Sequence, residues 1–157
     1  MNDLLRELGE PDLAVGGLSI WIQGREFPEE TDYWDGNWLQ TIGRFSARGS
    51  VVTATGPFLR TPEIQAFGDA CAKLHASLTG EASLDCVEPY LDVRLTGNGR
   101  GQVSAVILIT PDHIEQRHEF HEQVDQSHLP AIVAACARLI ARFPVVGLKP
   151  EPAASAH

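Results

Sequence analysis

Three histidines within nine residues, His113, His118 and His121, are the side chains of this sequence best suited to binding a metal. Imidazole groups, together with the glutamates between them, are common ligands of divalent cations. The pattern of residues 114–124, however, predicts a strand, whose side chains alternate between two faces. His118 then shares a face with Phe120, whereas His113 and His121 lie on the other face, so one ion cannot reach all three. We therefore predict no metal site and no other cofactor, with His118 at the edge of the core.

Two further groups of residues have the types of a nucleophilic site without the arrangement that catalysis needs. Asp125, Ser127 and His128 are nearly consecutive, whereas a catalytic triad brings its members together from different elements. We interpret Ser127 as the cap of a helix. Cys71 and Cys136 fall on apolar helical stripes, where burial keeps a thiol protonated and inert. The sequence therefore predicts a protein that is not an enzyme.

The segment from Glu26 to Trp38, which we call the acidic-aromatic loop, has the composition of a recognition surface, with five carboxylates and four aromatic side chains. Carboxylates complement a basic partner, and Trp and Tyr contribute most often to the binding energy of interfaces. The predicted partner-binding residues are Glu29, Glu30, Asp32, Tyr33, Trp34 and Asp35. In the alternative interpretation, Trp34 and Trp38 cover one end of a sheet and the carboxylates are only solvated. We assign Trp38 to the core because it begins a strand, and both interpretations stay open for Trp34.

Hydrophobic periodicity predicts the elements that position this loop. Strands show alternation or enrichment in aromatic and β-branched residues, and helices show one apolar stripe. The predicted strands are 18–23, 38–47, 50–55, 83–95 with a break at Glu88-Pro89, 102–110 and 114–124, and the predicted helices begin at Thr61-Pro62-Glu63 and at Ser127. Turns at Arg48-Gly49 and Asn98-Gly99 require antiparallel pairing. The order is βββα-βββα, and we expect a two-layer α+β domain with about six mainly antiparallel strands and both helices on one face.

Composition sets the class of protein and its surroundings. We divide the chain into an N-terminal arm at residues 1–17 that includes a linker, one domain at 18–147 and a disordered tail at 148–157. The net charge of −9 repels phosphate groups and anionic lipids, which excludes nucleic-acid and membrane-surface binding. Three cysteines without a CxxC pair, the absence of a secretory signal pattern and the lack of a long apolar run together indicate a cytoplasmic protein.

Three short motifs resemble a known family. They are Asp32-Tyr33-Trp34-Asp35-Gly36-Asn37-Trp38-Leu39, Glu88-Pro89-Tyr90-Leu91, and Asp125-Gln126-Ser127-His128-Leu129-Pro130 followed by Phe143-Pro144-Val145. In this order they are similar to wall-associated-protein immunity proteins, the WapI-type family, over residues 18–147. The resemblance implies a non-catalytic bacterial protein that binds and neutralises a toxin domain, often a nuclease, delivered by a competing cell. Such a toxin is basic where it holds phosphate, so the acidic charge of this chain agrees with that function.

Two other classes of function stay open at this stage. The runner-up is a small-molecule-binding or regulatory α+β domain, with its pocket on the sheet face opposite the helices or beneath Trp34. A pocket with converging polar groups would favour that class, and a flat acidic patch would favour immunity. The third class is an enzyme that uses His118 or His121 with neighbouring glutamates as acid and base. The oligomeric state is not predicted.

Overall fold

The computed structural model describes residues 2–150, and in that range it contains three α-helices and eight strands. The elements are α1 (Asn2–Leu8), β1 (Leu13–Val15), β2 (Leu18–Arg25), β3 (Trp38–Ala47), β4 (Ser50–Arg60), α2 (Thr61–Ser77), β5 (Thr79–Asp85), β6 (Leu91–Asn98), β7 (Gln102–Ile109), β8 (Glu119–Asp125) and α3 (Leu129–Arg142). Of the predicted tail, residues 151–157 lie outside the described part of the chain. None of the helices within residues 2–150 combines the length and the apolar character that crossing a membrane requires.

The strands form two sheets of four. One sheet has the order β1-β2-β3-β4 and the other β5-β6-β7-β8, and every neighbouring pair is antiparallel. The α+β class and the antiparallel pairing are therefore confirmed, whereas the single sheet of about six strands is wrong. Alternation shows which residues face a core, but it carries no information on which strands are neighbours, and β5 pairs with β6 rather than with β4.

The two additional strands come from segments that we interpreted differently. Residues 9–17, predicted as a linker, include β1, whose Leu13 and Val15 are buried against the rest of the core. The predicted bent strand 83–95 is two strands, because the chain reverses at Glu88-Pro89 and Asp85 faces Asp92 across the ladder. Three residues are too few for a periodic pattern to show, and a Pro in a strand signals a break without giving the direction of the chain beyond it.

One continuous apolar core joins both sheets and both long helices. Ile64, Phe67, Cys71 and Leu74 on one face of α2 are buried, as are Ile132 and Leu139 of α3, and the two helices pack against each other. The two sheets meet where Phe45 of β3 stacks on Phe120 of β8, with ring centroids 4.0 Å apart. Because aromatic side chains bury a large apolar area, this contact is a strong link between the two halves of the chain.

Of the two turns predicted from Gly-containing dipeptides, one has the predicted form and the other is longer. The β3–β4 hairpin turns tightly at Arg48 and Gly49, whose φ angles of 51° and 85° are the positive values that such a turn demands. The β6–β7 connection has three residues, 99–101, in place of the two of a tight Asn98-Gly99 turn. The Asn98 side chain accepts hydrogen bonds from the backbone of Arg100 and Gln102 and so holds this longer turn. An Asn side chain that bonds its own turn in this way changes the loop length that the dipeptide alone suggests.

Two predicted boundaries in the last third of the chain are wrong. The strand predicted from residue 114 begins at Glu119, since Asp112 accepts hydrogen bonds from the backbone of Ile114 and Glu115 and holds this stretch in a turn. Ser127 does not cap α3. Asp125 instead accepts from the Ser127 backbone and starts a short 3₁₀ turn that precedes the helix.

Candidate acidic-aromatic docking site

The acidic-aromatic loop is an ordered connection between two strands that stay paired up to its base. Arg25 pairs with Leu39, and the Glu26 backbone donates to Trp38 O at 2.9 Å. Inside the loop, Asp32 organises a turn: its side chain accepts from the Asp35 backbone at 3.1 Å and its carbonyl from Gly36 at 3.0 Å. Such local bonds hold a loop in one conformation without secondary structure.

Asn37 fixes the loop to the rest of the protein. Its side chain is fully buried and makes four hydrogen bonds. Nδ2 donates to Tyr33 O at 2.7 Å and to Val146 O at 3.0 Å, and Oδ1 accepts from Thr61 Oγ1 at 2.8 Å and from Val146 N at 2.9 Å. One amide thus connects the loop, the start of α2 and the segment that follows α3, and its full hydrogen-bonding capacity is used.

Arg60, the last residue of β4, contacts three aromatic side chains of the loop. Its guanidinium carbon lies 5.0 Å from the ring centroid of Tyr33, 5.1 Å from that of Trp34 and 5.4 Å from that of Trp38. It also donates to Tyr33 O at 2.7 Å, and only 3% of the residue is exposed. A cation on aromatic faces is most strongly attracted when both are shielded from water. Sequence reasoning missed Arg60, and its position across the ladder from Trp38 is the only signal that could have shown it.

The segment after α3 lies against the loop. Arg25 donates to Gly36 O at 2.8 Å and to Pro144 O, so it bridges the loop base and this segment. Gly147 has a φ of 71°, and a β-carbon there would collide with the backbone nitrogen of Tyr33. Only glycine suits both the left-handed backbone and the close approach. The motif beginning at Phe143 therefore has a structural role beside the loop.

The predicted partner-binding residues all lie on this one loop. The carboxylates Glu29, Glu30, Asp32 and Asp35 are exposed, and within residues 2–150 none of them takes part in an ion pair. Trp34 is 52% exposed and Phe27 45%. Trp34 meets Tyr33 edge to face and has one side on Arg60, so half of its surface is held and half is presented to solvent. Trp38 begins β3 as predicted, but its assignment to the core is wrong, because it is half-buried and lies outside the core cluster, next to the guanidinium of Arg60. The role of these residues in binding stays a prediction.

A cleft of about 710 Å³ lies at one end of the second sheet. Residues 86–89 and 113–117 line it, together with Leu91, Asp92, Leu108 and Thr110. The cleft is linked to the loop through Glu63 near the start of α2, whose carboxylate accepts from the backbone of Arg60 and, at 3.4 Å, of Val87. Burial raises the pKa of Glu63 to about 7, against the lowering effect of these bonds and of the Arg60 charge.

Within residues 2–150, the histidines and cysteines are not gathered into a reactive site. His118 contacts Gln116, His121 contacts Glu119, and His113 meets the edge of Tyr90. No cluster of three or more side chains able to hold a metal exists in the described range 2–150. The argument from strand faces was wrong in detail, because residues 113–118 precede β8 and Ile114 is exposed rather than in the core.

The thiols have the environment of structural cysteines. Burial raises the pKa of both Cys71 and Cys136 to about 12, and the charge of Asp69 adds to the effect on Cys136. Burial also raises the pKa of Cys86, with Glu63, Asp92 and Asp85 contributing. A thiol that stays protonated at neutral pH is a poor nucleophile. These surroundings favour packing over chemistry.

The comparison with protein families gives one match. The sequence model of the immunity protein WapI-like family matches residues 13–144. This range begins at β1 and includes the acidic-aromatic loop, both sheets and α3. Comparisons with curated proteins and with solved structures returned no match.

Proposed function

The chain belongs to the immunity protein WapI-like family, and from this premise we propose that it binds a toxin domain directly and neutralises it. The bound partner is a protein, in keeping with an immunity family. The proposed action is non-catalytic and takes place in the cytoplasm, where a delivered toxin would act. The observation that carries the proposal is the acidic-aromatic loop, whose backbone is fixed while its charged and aromatic side chains face solvent.

Rigidity is what distinguishes this loop from an ordinary solvated connection. Association costs free energy when mobile side chains and loops must be ordered, and a preformed surface avoids much of that cost. Asn37 and Arg60 hold the loop from two sides, through four hydrogen bonds and three aromatic contacts respectively. Trp34 is therefore presented in one orientation, as expected of a residue that fills a pocket on a partner.

The charge of the loop indicates a basic partner. Its exposed carboxylates have no intramolecular cation among the described residues, and the whole chain carries a net charge of −9. A surface of one sign attracts the opposite sign and accelerates encounter. A toxin that binds phosphate, such as a nuclease, has a basic active site that this surface could cover.

A second candidate function, small-molecule binding, is favoured by the cleft of about 710 Å³ at the end of the second sheet. This volume lies within the range of ligand pockets. The cleft is widely open to solvent, however, whereas a small-molecule site encloses most of its ligand. We place it second for that reason.

Co-expression with candidate toxin domains, sought among the products of the neighbouring genes, tests the proposal, with binding kinetics measured on purified proteins. Trp34→Ala should accelerate dissociation and weaken binding by about 2 kcal/mol or more. Glu29→Gln with Glu30→Gln should slow association and reduce its salt dependence, because exposed interface charges act mainly on encounter.

The matched control is Glu7→Gln with Asp69→Asn, which removes two exposed carboxylates outside the loop. Each variant is first shown to keep the wild-type thermal transition. Wild-type protection with unchanged kinetics in both folded loop variants would refute the loop as the docking site, and failure of the wild-type chain to bind or protect would refute the function.

A further inference from the structure

The cleft and the acidic-aromatic loop lie at the same end of the molecule and are physically connected. Trp34 rests on Arg60, the Arg60 backbone donates to Glu63, and the same carboxylate accepts from Val87 in the wall of the cleft. Val87 and Ile114 both line the cleft. A partner seated on Trp34 would therefore have the mouth of the cleft within its reach.

Exposed apolar side chains are concentrated on this end. Large hydrophobic residues that stay exposed within residues 2–150 are Phe27, Trp34, Val51, Val87, Ile114 and Leu148. Two of them belong to the loop and two to the cleft, where Val87 is 65% and Ile114 81% exposed. Scattered apolar residues need no explanation, but two exposed apolar side chains in the lining of one depression, with two more on the connected loop, are typical of an interaction site.

The cleft carries negative charge that the protein itself does not balance. Glu88, Asp92 and Glu115 line it, and Asp85 lies directly opposite Asp92 across the β5–β6 ladder. Like charges in facing positions destabilise a sheet. Burial and the charge of Asp85 raise the pKa of Asp92, although Arg94 acts in the opposite direction.

The nearby cations are engaged elsewhere. Arg94 forms an ion pair with Glu81 at 3.0 Å, and Arg117, which also lines the cleft, pairs with Glu119 at 2.9 Å. His113, the other basic side chain of the lining, meets the edge of Tyr90. Glu88 and Glu115 form no ion pair within residues 2–150, and they line the cleft together with Val87 and Ile114. This combination of charged and apolar groups is complementary to a long cationic side chain.

We propose that the cleft is the second half of the docking surface and receives a lysine or arginine side chain of the toxin domain. This inference rests on the proposed function. The aliphatic part of such a side chain packs between Val87 and Ile114, while its charged end lies among Glu88, Asp92 and Glu115. A protein segment is favoured over a free ligand because the cleft is connected to the loop through Glu63, and because Val87 and Ile114 in its lining are exposed.

The test compares variants of the cleft and of the loop in binding to a toxin domain that the wild-type chain neutralises in the co-expression experiment. Glu88→Gln with Glu115→Gln removes two exposed carboxylates whose side chains make no hydrogen bond or ion pair in the described structure. Association should become about tenfold slower at low salt, since interface charges act on encounter. The control Glu7→Gln with Asp69→Asn removes the same charge outside the cleft and should leave the kinetics near those of the wild type.

A second cleft variant, Ile114→Ser, removes an apolar wall at an exposed position and should accelerate dissociation several-fold. Cleft variants that bind as tightly and as fast as the control, while Trp34→Ala loses affinity, would overturn this inference and leave the proposed function intact. Failure of the wild-type chain to bind the toxin would overturn both. Binding of free arginine, or a dimer abolished by Ile114→Ser, with unchanged toxin kinetics would assign the cleft to another occupant and also overturn the inference.

Discussion

Replacing Asn37 by alanine should weaken the fold more than its position in a loop suggests. The substitution removes the four hydrogen bonds of the Asn37 side chain, to Tyr33 O, Val146 O, Val146 N and Thr61 Oγ1, although Tyr33 O keeps the hydrogen bond that Arg60 donates. Each hydrogen bond contributes about 1 kcal/mol net, and a buried group left unpaired costs at least as much. The expected loss is about 4 kcal/mol out of a total stability of roughly 5 to 15 kcal/mol.

Urea and thermal denaturation measure this loss directly. For a domain of this length, about 4 kcal/mol corresponds to a fall in Tm of roughly 10 °C. Asn98→Ala is the matched control, because the Asn98 side chain also accepts hydrogen bonds from backbone N–H groups but lies in an exposed turn. Water can replace the lost bonds there, so the control should lose about 1 kcal/mol or less.

Asn37→Asp separates the geometry of the site from its hydrogen bonds. Aspartate keeps the shape and both acceptor positions, but it places a carboxylate oxygen against the carbonyls of Tyr33 and Val146 in place of the donor. We expect a loss as large as that of Asn37→Ala at neutral pH. If Asn37→Ala and Asn98→Ala lose the same stability, Asn37 does not fix the loop and the reasoning is refuted.

Three further outcomes are expected. Burial raises the pKa of Glu63 from 4.5 to about 7, which favours the protonated carboxyl in the folded state, so its stabilising contribution is full below about pH 4.5 and is lost as the pH rises through 7. Because solvent screens part of the effect, Glu63→Gln should remove about 1 to 2 kcal/mol from the pH dependence of the free energy of unfolding. Urea titrations in which wild type and variant differ in stability by the same amount at every pH would contradict this. Leu139→Asp places an unpaired carboxylate in the core and should abolish the cooperative thermal transition, whereas Ala137→Asp on the exposed side of α3 should keep it. Tag-free protein should contain less than about one equivalent of transition metal and keep its Tm in EDTA; stoichiometric zinc that disappears in His118→Ala would overturn that expectation.

Elements determined by local patterns could be predicted from the sequence. The predicted bounds of β3, residues 38–47, agree with the structure, and α2 begins at the predicted Thr61. Alternation, an apolar stripe and a tight turn each depend on residues within a few positions of one another. The β3–β4 hairpin at Arg48 and Gly49 follows from the same kind of local information.

Pairings between distant parts of the chain could not be predicted. The chain forms two sheets because β5 pairs with β6 and not with β4, and hydrophobic periodicity carries no information on which strands pair. The position of β1 depends on three residues whose pattern is too short to recognise. Composition identified the acidic-aromatic loop as a candidate site, but Asn37 and Arg60, which hold it, act through contacts with residues far along the sequence.

The contact between Asn37 and Val146 has a consequence for the order of folding. The two residues are 109 positions apart, and closing a chain over such a distance has a high entropic cost that only the packed core offsets. We therefore expect the acidic-aromatic loop to reach its native contacts late, after α3 has packed and brought the following segment beside it. A refolding chain should acquire native helix and sheet signals before the environment of Trp34 becomes native, and the interval between the two should lengthen in any variant that slows the docking of α3.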